Sequence, residues 1–175
     1  MTFLAAYDIE FGPYLDCPPR LRRDSMRAVL AWVERNRKPP YTIIETGCVR
    51  DPTSWSDGMS TRIFDAFVHL HGGQVISIDN NESNCRVARS VTNGCTRVVH
   101  ADSITGLQRL VAESPELRPD LVYLDSVDVD WNQPHVSALH HLQELCAAMP
   151  LINGCLVMID DNKLDGKAGK SGYNQ

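Results

Sequence analysis

The sequence predicts an α/β fold in which helices cover both faces of a doubly wound, mostly parallel sheet. Short apolar runs alternate along the chain with longer segments whose apolar residues recur at helical spacing. The apolar runs are nearly continuous, which is typical of parallel strands that are buried on both faces. The 175 residues suffice for one domain with a sizeable core. Right-handed crossovers between the strands then produce the doubly wound arrangement.

The elements follow in a regular order. The first predicted helix covers 20–37 and ends before Pro39 and Pro40, because proline cannot continue a helix. Five strands are predicted at 41–45, 74–79, 96–102, 120–125 and 154–160. The intervening helices are predicted within 60–73, 82–94, 104–115 and 134–149. This order divides the chain into an N-terminal segment and helix, a central domain and a flexible tail, at 1–40, 41–162 and 163–175.

The last predicted helix has the most regular apolar pattern. One face of it carries Val136, Leu139, Leu142, Leu145 and Met149. The pair His140 and His141 has no partner at metal-ligand spacing, so we expect both imidazoles on the helix surface.

Composition restricts the partners and the compartment. The net charge of −5 argues against nucleic acid or an anionic membrane as partner. No apolar run approaches the roughly 20 residues that span a bilayer, and the N-terminus does not resemble a secretory signal. The six cysteines form no C-x-x-C pair, so we expect free thiols and not a zinc site or disulfides. These observations predict a cytoplasmic protein.

Every predicted strand finishes on an acid. The acids are Glu45, Asp79, Asp102, Asp125 and Asp160. Ligands of open parallel sheets bind outside the carboxyl ends of the strands, near the point where strand order reverses. Carboxylates gathered at one edge would repel each other without a cation or hydrogen-bond donors. The set therefore predicts a binding site at this edge.

Two of the strand ends suggest a nucleoside-containing ligand. Asp79, after the second strand, is placed to accept hydrogen bonds from both hydroxyls of a ribose, and Gly47 lets a ligand approach the backbone after the first strand. The glycine loop runs from Gly47 to Gly58 without a G-x-G-x-x-G or G-K-[ST] pattern. This weighs against a dinucleotide that carries a pyrophosphate.

The segments "IIETGCVR…DGMST", "VISIDNN", "VVHADS", "DLVYLDS" and "GCLVMIDDN" resemble the class I S-adenosylmethionine-dependent methyltransferases over residues 41–162. The resemblance is to the metal-dependent small-molecule O-methyltransferases, and it implies a Rossmann-like fold. It implies that the cofactor's methionine part lies by Glu45 and Gly47 and its ribose by Asp79. It places the adenine beside Asp102 and Ser103.

In the metal-dependent branch, the resemblance implies a Mg²⁺ site made by Asp125, Asp160 and Asp161. Oxygen ligands of this kind suit Mg²⁺, which lowers the pKa of an acceptor hydroxyl and orients it. Asp125 thereby counts as catalytic. The candidates for a general base are His135 and Lys163, and Arg50 is a candidate partner for the cofactor's carboxylate.

The expected activity is methyl transfer from S-adenosylmethionine to an oxygen of a small molecule. Two alternatives stay open: an NAD-dependent oxidoreductase and a non-catalytic binding module with the same fold. The family normally adds an antiparallel strand pair after the fifth strand, but 163–175 has no strand pattern. An apolar fifth strand at the sheet edge would then need a cover, which predicts a homodimer.

Overall fold

The computed structural model describes residues 2–15, 22–55 and 59–161. It confirms the predicted α/β class: five parallel strands form one sheet, in the order β3-β2-β1-β4-β5, in a Rossmann-like doubly wound arrangement. The strands are β1 Tyr41–Thr46, β2 Gly73–Asp79, β3 Thr96–His100, β4 Leu121–Leu124 and β5 Leu156–Ile159. The helices are α1 Phe3–Glu10, α2 Gly12–Leu15, α3 Arg23–Asn36, α4 Ser60–His71, α5 Glu82–Val91, α6 Ser103–Glu113 and α7 Pro134–Ala148.

The order of the strands reverses between β1 and β4. From β1 the chain adds β2 and then β3 on one side, and it returns to place β4 and β5 on the other. Ile43 and Ile44 of the central strand are fully buried, one in each of the two apolar clusters that flank the sheet. The connections that leave β1 and β4 therefore run to opposite sides of the sheet, and the crevice between them is where such sheets bind ligands.

Three of the predicted strands end earlier than expected. Asp102, Asp125 and Asp160 follow β3, β4 and β5 instead of closing them. The Asp102 side chain caps α6 by accepting from the Thr105 N–H at 2.9 Å, and Asp160 forms an ion pair. These carboxylates therefore leave the strand ladder for partners at the edge of the sheet.

The N-terminal segment holds two helices that the sequence analysis did not predict. Phe3, Tyr7, Phe11 and Leu15 are buried at intervals of four residues, a spacing that places them on one helical face. Phe3 packs edge-on against Phe67 of α4, with ring centroids 5.1 Å apart. The periodicity was present in the sequence, and it extends the core of the face covered by α3 and α4.

Helix α7 turns most of its predicted apolar face away from the core, although Leu145 packs against the apolar cluster that contains Ile44. Val136, Leu139, Leu142 and Met149 are each more than half exposed. The buried face carries Ser137, His141, Glu144 and Ala148. The expectation that His141 lies on the surface is wrong: its ring is fully buried, and its Nδ1 lies 2.7 Å from the Ser137 carbonyl oxygen.

In the described ranges no helix combines the length and the apolar character that crossing a membrane requires. The predicted tail, 163–175, lies outside the described residues, and so does the part of the chain where a strand pair after β5 would have to lie.

Candidate functional site

A cavity of about 260 Å³ opens at the carboxyl edge of the sheet, where the strand order reverses. The described residues that line it come from the end of β2, from the segments after β1, β2, β4 and β5, from the residue before α3 and from the starts of α4 and α5. They are Arg22, Gly47, Cys48, Arg50, Ser60, Asp79, Asn80, Asn81, Asn84, Asp125, Ser126, Asp128 and Asp161. A cavity thus lies at the edge where the sequence predicts a binding site, and its lining brings together Gly47, Asp79, Asp125 and Asp161.

A second, smaller cavity of about 30 Å³ adjoins the first. The two share Gly47, Asp79, Asn80 and Ser126 as walls. The smaller one extends towards β3 and is also lined by Ile78, Asp102, Ser103, Val127 and His140. Together they make an elongated cleft along the ends of the strands.

Gly47 allows the loop after β1 to lie against the end of β4. Its φ is 77°, in the left-handed region that favours glycine. A Cβ at this position would collide with the backbone carbonyl of Asp125 and lie 3.0 Å from the Ser126 Cα. The Gly47 N–H donates to the Ile78 carbonyl at 2.8 Å. Glycine is thus needed for the close approach of three strand ends, whether or not a ligand is bound.

Asp79 lies between the two cavities, 8% exposed. Its Oδ1 accepts from the Asn81 N–H at 2.7 Å, and its Oδ2 accepts from the Cys48 N–H at 3.0 Å. The Asn84 amide lies 3.3 Å from both oxygens. The Cys48 thiol is a further donor, 3.4 Å from Oδ2. These contacts already use the roughly four lone-pair sites of a carboxylate, so a ligand in the cleft has to displace the long contacts from Asn84 before it can bond Asp79.

Glu45 lies beneath the cleft and does not line it. The side chain is fully buried, and three hydroxyls donate to it: Ser60 to Oε1 at 2.6 Å, Ser77 to Oε2 at 2.6 Å and Thr61 to Oε2 at 2.8 Å. Burial raises the pKa of Glu45 to about 7, although these hydrogen bonds act in the opposite direction. Glu45 therefore joins β1, β2 and α4, and reaches the cavity only through Ser60.

Asp102 and Ser103 stand at the far end of the cleft. Asp102 is exposed, and the backbone hydrogen bond from Thr105 lowers its pKa despite the opposing effect of partial burial. Ser103 is 5% exposed, and its Oγ lies 3.1 Å from His140 Nε2. His140 thus belongs to the candidate site, which the sequence analysis missed because its partner is distant in sequence.

Two of the three carboxylates expected to bind Mg²⁺, Asp160 and Asp161, contact an arginine. Arg22 Nη2 lies 2.6 Å from Asp160 Oδ2 and 3.1 Å from Asp161 Oδ1. The Tyr123 hydroxyl lies 2.8 Å from Asp160 Oδ2 and 3.4 Å from Asp125 Oδ2. Asp161 has a φ of 50°, a left-handed conformation that aspartate tolerates better than most residues. We refer to Asp125, Asp160 and Asp161 as the acidic cluster.

The acidic cluster does not fit a divalent ion as it stands. The Arg22 guanidinium already bonds two of its carboxylates. No group of three or more acidic, histidine or cysteine side chains arranged to hold a metal ion occurs within residues 2–15, 22–55 and 59–161. Burial lowers the pKa of Arg22, but the charges of Asp160, Tyr123, Asp125 and Asp161 outweigh it and raise that pKa above its ordinary value. The guanidinium is therefore permanently charged.

Sequence reasoning missed Arg22. Residues 20–37 were predicted as helix, whereas α3 begins at Arg23, so Arg22 precedes the helix and turns towards the end of β5. The available signal was indirect: so many acids at one edge require a counter-charge, and the chain has an arginine-rich segment, "RLRR", ahead of the sheet.

The remaining site predictions fall elsewhere. His135 is exposed and lines neither cavity. Lys163 lies outside the described residues. Arg50 lines the larger cavity, where its Nη1 lies 2.7 Å from Asp128 Oδ2. No described histidine or lysine therefore lines the larger cavity as a general base.

In comparisons with protein-family models and with curated proteins, no match to this chain was found.

Proposed function

We propose that this chain is an S-adenosylmethionine-dependent methyltransferase that acts on a small molecule, with the methyl donor bound in the cleft at the carboxyl edge of the sheet. The support is the position of the cleft, at the reversal of strand order, together with its charge. The resemblance of residues 41–162 supplies the family, and the charge of the cleft discriminates among the ligands that such a sheet accommodates.

The larger cavity is negatively charged. The described part of its lining holds four carboxylates against two guanidinium groups, a formal charge of −2. Both arginines are already paired with carboxylates of the lining or the acidic cluster. Such a surface repels the pyrophosphate of a dinucleotide and attracts a ligand with a net positive charge. S-adenosylmethionine is such a ligand, since its sulfonium and ammonium outweigh its single carboxylate.

The residues are assigned roles by their place along the cleft. Asp79 accepts from the ribose hydroxyls, and Asp102 and Ser103 bound the adenine end. The methionine end lies by Gly47, where Glu45 acts by fixing the Ser60 hydroxyl. S-adenosylmethionine supplies an electrophilic methyl group, so the chain has to align the acceptor and exclude water.

Asp125 is the residue of the acidic cluster that we assign to the acceptor. It lines the larger cavity at the end of β4 and lies within reach of the Tyr123 hydroxyl. A carboxylate held there orients an acceptor O–H by accepting its hydrogen bond. Oxygen is the acceptor atom that we propose, from the resemblance to the O-methyltransferases.

Calorimetry with S-adenosylhomocysteine and with NAD⁺ tests the ligand. We expect the wild type to bind S-adenosylhomocysteine and not NAD⁺. Asp79→Ala should lose about 1.5–3 kcal/mol of binding free energy, the range for hydrogen bonds to a charged group. Asp51→Ala is the matched control, since Asp51 is an exposed aspartate of the loop after β1 that lines neither cavity and whose carboxylate bonds Thr53.

Each other outcome identifies an alternative. Binding of NAD⁺ but not of S-adenosylhomocysteine would favour the oxidoreductase. A folded wild type that binds neither would favour a non-catalytic module. Equal affinity of the wild type and Asp79→Ala would remove the ribose assignment while leaving the methyl donor in place.

We also propose a homodimer and assign the exposed face of α7 to it. Leu139, Leu142 and Cys146 of this helix, and Met149 directly after it, are exposed at intervals of three, four and three residues, the spacing of paired helices. The exposed positions of α7 carry no Asp, Glu, Lys or Arg. Two copies of a chain with net charge −5 can therefore meet across a two-fold axis here without opposing like charges.

A further inference from the structure

Arg22 occupies a place that three carboxylates create. It comes from the start of α3, whereas Asp125, Asp160 and Asp161 follow β4 and β5, so the contact joins the N-terminal part of the chain to the edge of the sheet. The side chain is 9% exposed, and the 2.6 Å contact with Asp160 is short for a charge-assisted hydrogen bond.

The arginine also has an unused donor. Its Nη1 is buried and has no hydrogen-bond partner in the described part of the chain, although Arg22 lines the larger cavity. Leaving a buried donor unpaired is costly. The guanidinium therefore contacts the acidic cluster through Nη2 alone.

A guanidinium and a divalent ion at the same place share one effect and differ in another. Both neutralise carboxylates that would otherwise repel one another. A metal in addition exchanges ligands and coordinates an acceptor oxygen, which lowers the pKa of a hydroxyl. A guanidinium offers only directed N–H donors and keeps its charge at every pH of interest.

We propose that Arg22 is the resident cation of the acidic cluster, and that this site binds its methyl donor without a divalent metal. The part of the inference that concerns the methyl donor rests on the proposed function, but the central test measures metal binding and does not require the methyl donor. It replaces the Mg²⁺ that the resemblance implied with a side chain of the protein itself.

The test measures Mn²⁺ binding, because carboxylate ligands suit Mn²⁺ as they suit Mg²⁺ and its paramagnetism makes binding visible. Electron paramagnetic resonance of the full chain with Mn²⁺ should show the signal of the free ion for the wild type. The same measurement on Arg22→Met should show one bound Mn²⁺, because the carboxylates are left without their cation. Arg27→Met is the matched control, since Arg27 belongs to α3 and its guanidinium bonds the partly exposed Asp8 instead of the acidic cluster.

Thermal unfolding gives a second readout. At a Mn²⁺ concentration about ten times its Kd, the Tm of Arg22→Met should rise by about 3–6 °C, while the Tm of the wild type stays unchanged. If Arg22→Met does not fold, Arg22→Lys can be used, because it keeps a positive charge at the same place. Its Tm should not change with Mn²⁺, as for the wild type.

Stoichiometric Mn²⁺ binding by the wild type, lost in Asp160→Asn, would overturn the inference. A folded Arg22→Met that neither binds Mn²⁺ nor is stabilised by it would overturn it as well. S-adenosylhomocysteine affinity of the wild type should be the same with Mg²⁺ and with a chelator, and dependence on Mg²⁺ would count against the inference. Failure of S-adenosylhomocysteine to bind at all would refute the proposed function, whereas the Mn²⁺ result would still decide the role of Arg22.

Discussion

Replacing Glu45 with glutamine should stabilise the protein relative to the wild type, and this stabilisation should be larger at neutral pH than at acidic pH. The carboxyl group is fully buried beneath the cleft, and burial raises its pKa from 4.5 to about 7 despite three hydroxyl donors. In the window between these values the folded chain holds a proton that the unfolded chain has released. Stability from this group is therefore complete below pH 4.5 and decreases as the pH rises to about 7.

The magnitude follows from the two pKa values. Each pH unit of difference corresponds to 1.36 kcal/mol, so a difference of about 2.5 units gives about 3.4 kcal/mol as an upper value. Glutamine has nearly the same shape and no charge at any pH, and the serine and threonine hydroxyls around it can rotate to donate or accept. The stability of Glu45→Gln minus that of the wild type should thus increase by up to about 3 kcal/mol between pH 4.5 and 7.5.

Urea denaturation across this pH range measures the difference, with unchanged m-values as the sign of intact cooperativity. Glu113→Gln is the control, because Glu113 lies exposed at the end of α6 and should give a nearly flat difference. A difference that is flat for Glu45→Gln as well, or that decreases towards pH 7.5, would show that the ionised carboxylate is stabilised by its hydroxyls and would refute this reasoning.

Three further predictions concern stability and assembly. Gly47→Ala should lower the free energy of unfolding in urea by about 1–3 kcal/mol. Gly94→Ala should lower it less, because Gly94 also has a positive φ but has open space for a Cβ. Equal losses would mean that the crowding around Gly47 is unimportant. Tyr123→Phe should lose about 1–3 kcal/mol, because a buried carboxylate loses a donor 2.8 Å away, and an unchanged urea midpoint would contradict this. Leu139→Glu should convert a dimer into a monomer in light scattering, whereas Leu70→Glu, equally exposed on α4, should not; a monomeric wild type would refute the dimer.

The sequence predicted the sheet well because the strands are short, mostly apolar runs, and acids, glycines and prolines mark where they begin or end. It predicted less where tertiary contacts decide. Helix α7 has a regular apolar stripe, which periodicity alone assigns to the core, yet the protein buries His141 and Glu144 instead. Periodicity identifies which residues share a face, but it does not say whether that face meets the chain's own core or another surface.

The same limit explains what was and was not predicted of the candidate site. Parallel strands bring their carboxyl ends to one edge, so the gathering of Asp79 and Asp125 follows from order along the chain. Carboxylates held this close together need a positive charge beside them, but the sequence does not show whether an ion or a side chain supplies it. Arg22 lies 138 residues before Asp160, on a segment that no strand pattern positions, and only the packing of α3 onto the end of β5 brings the two together. The demand for a cation was therefore predictable from the sequence, while its source was not. The resemblance to metal-dependent enzymes leads to the expectation of a metal ion at the acidic cluster. Because Arg22 already contacts two of these carboxylates, metal binding should be measured before a metal is assigned to this site.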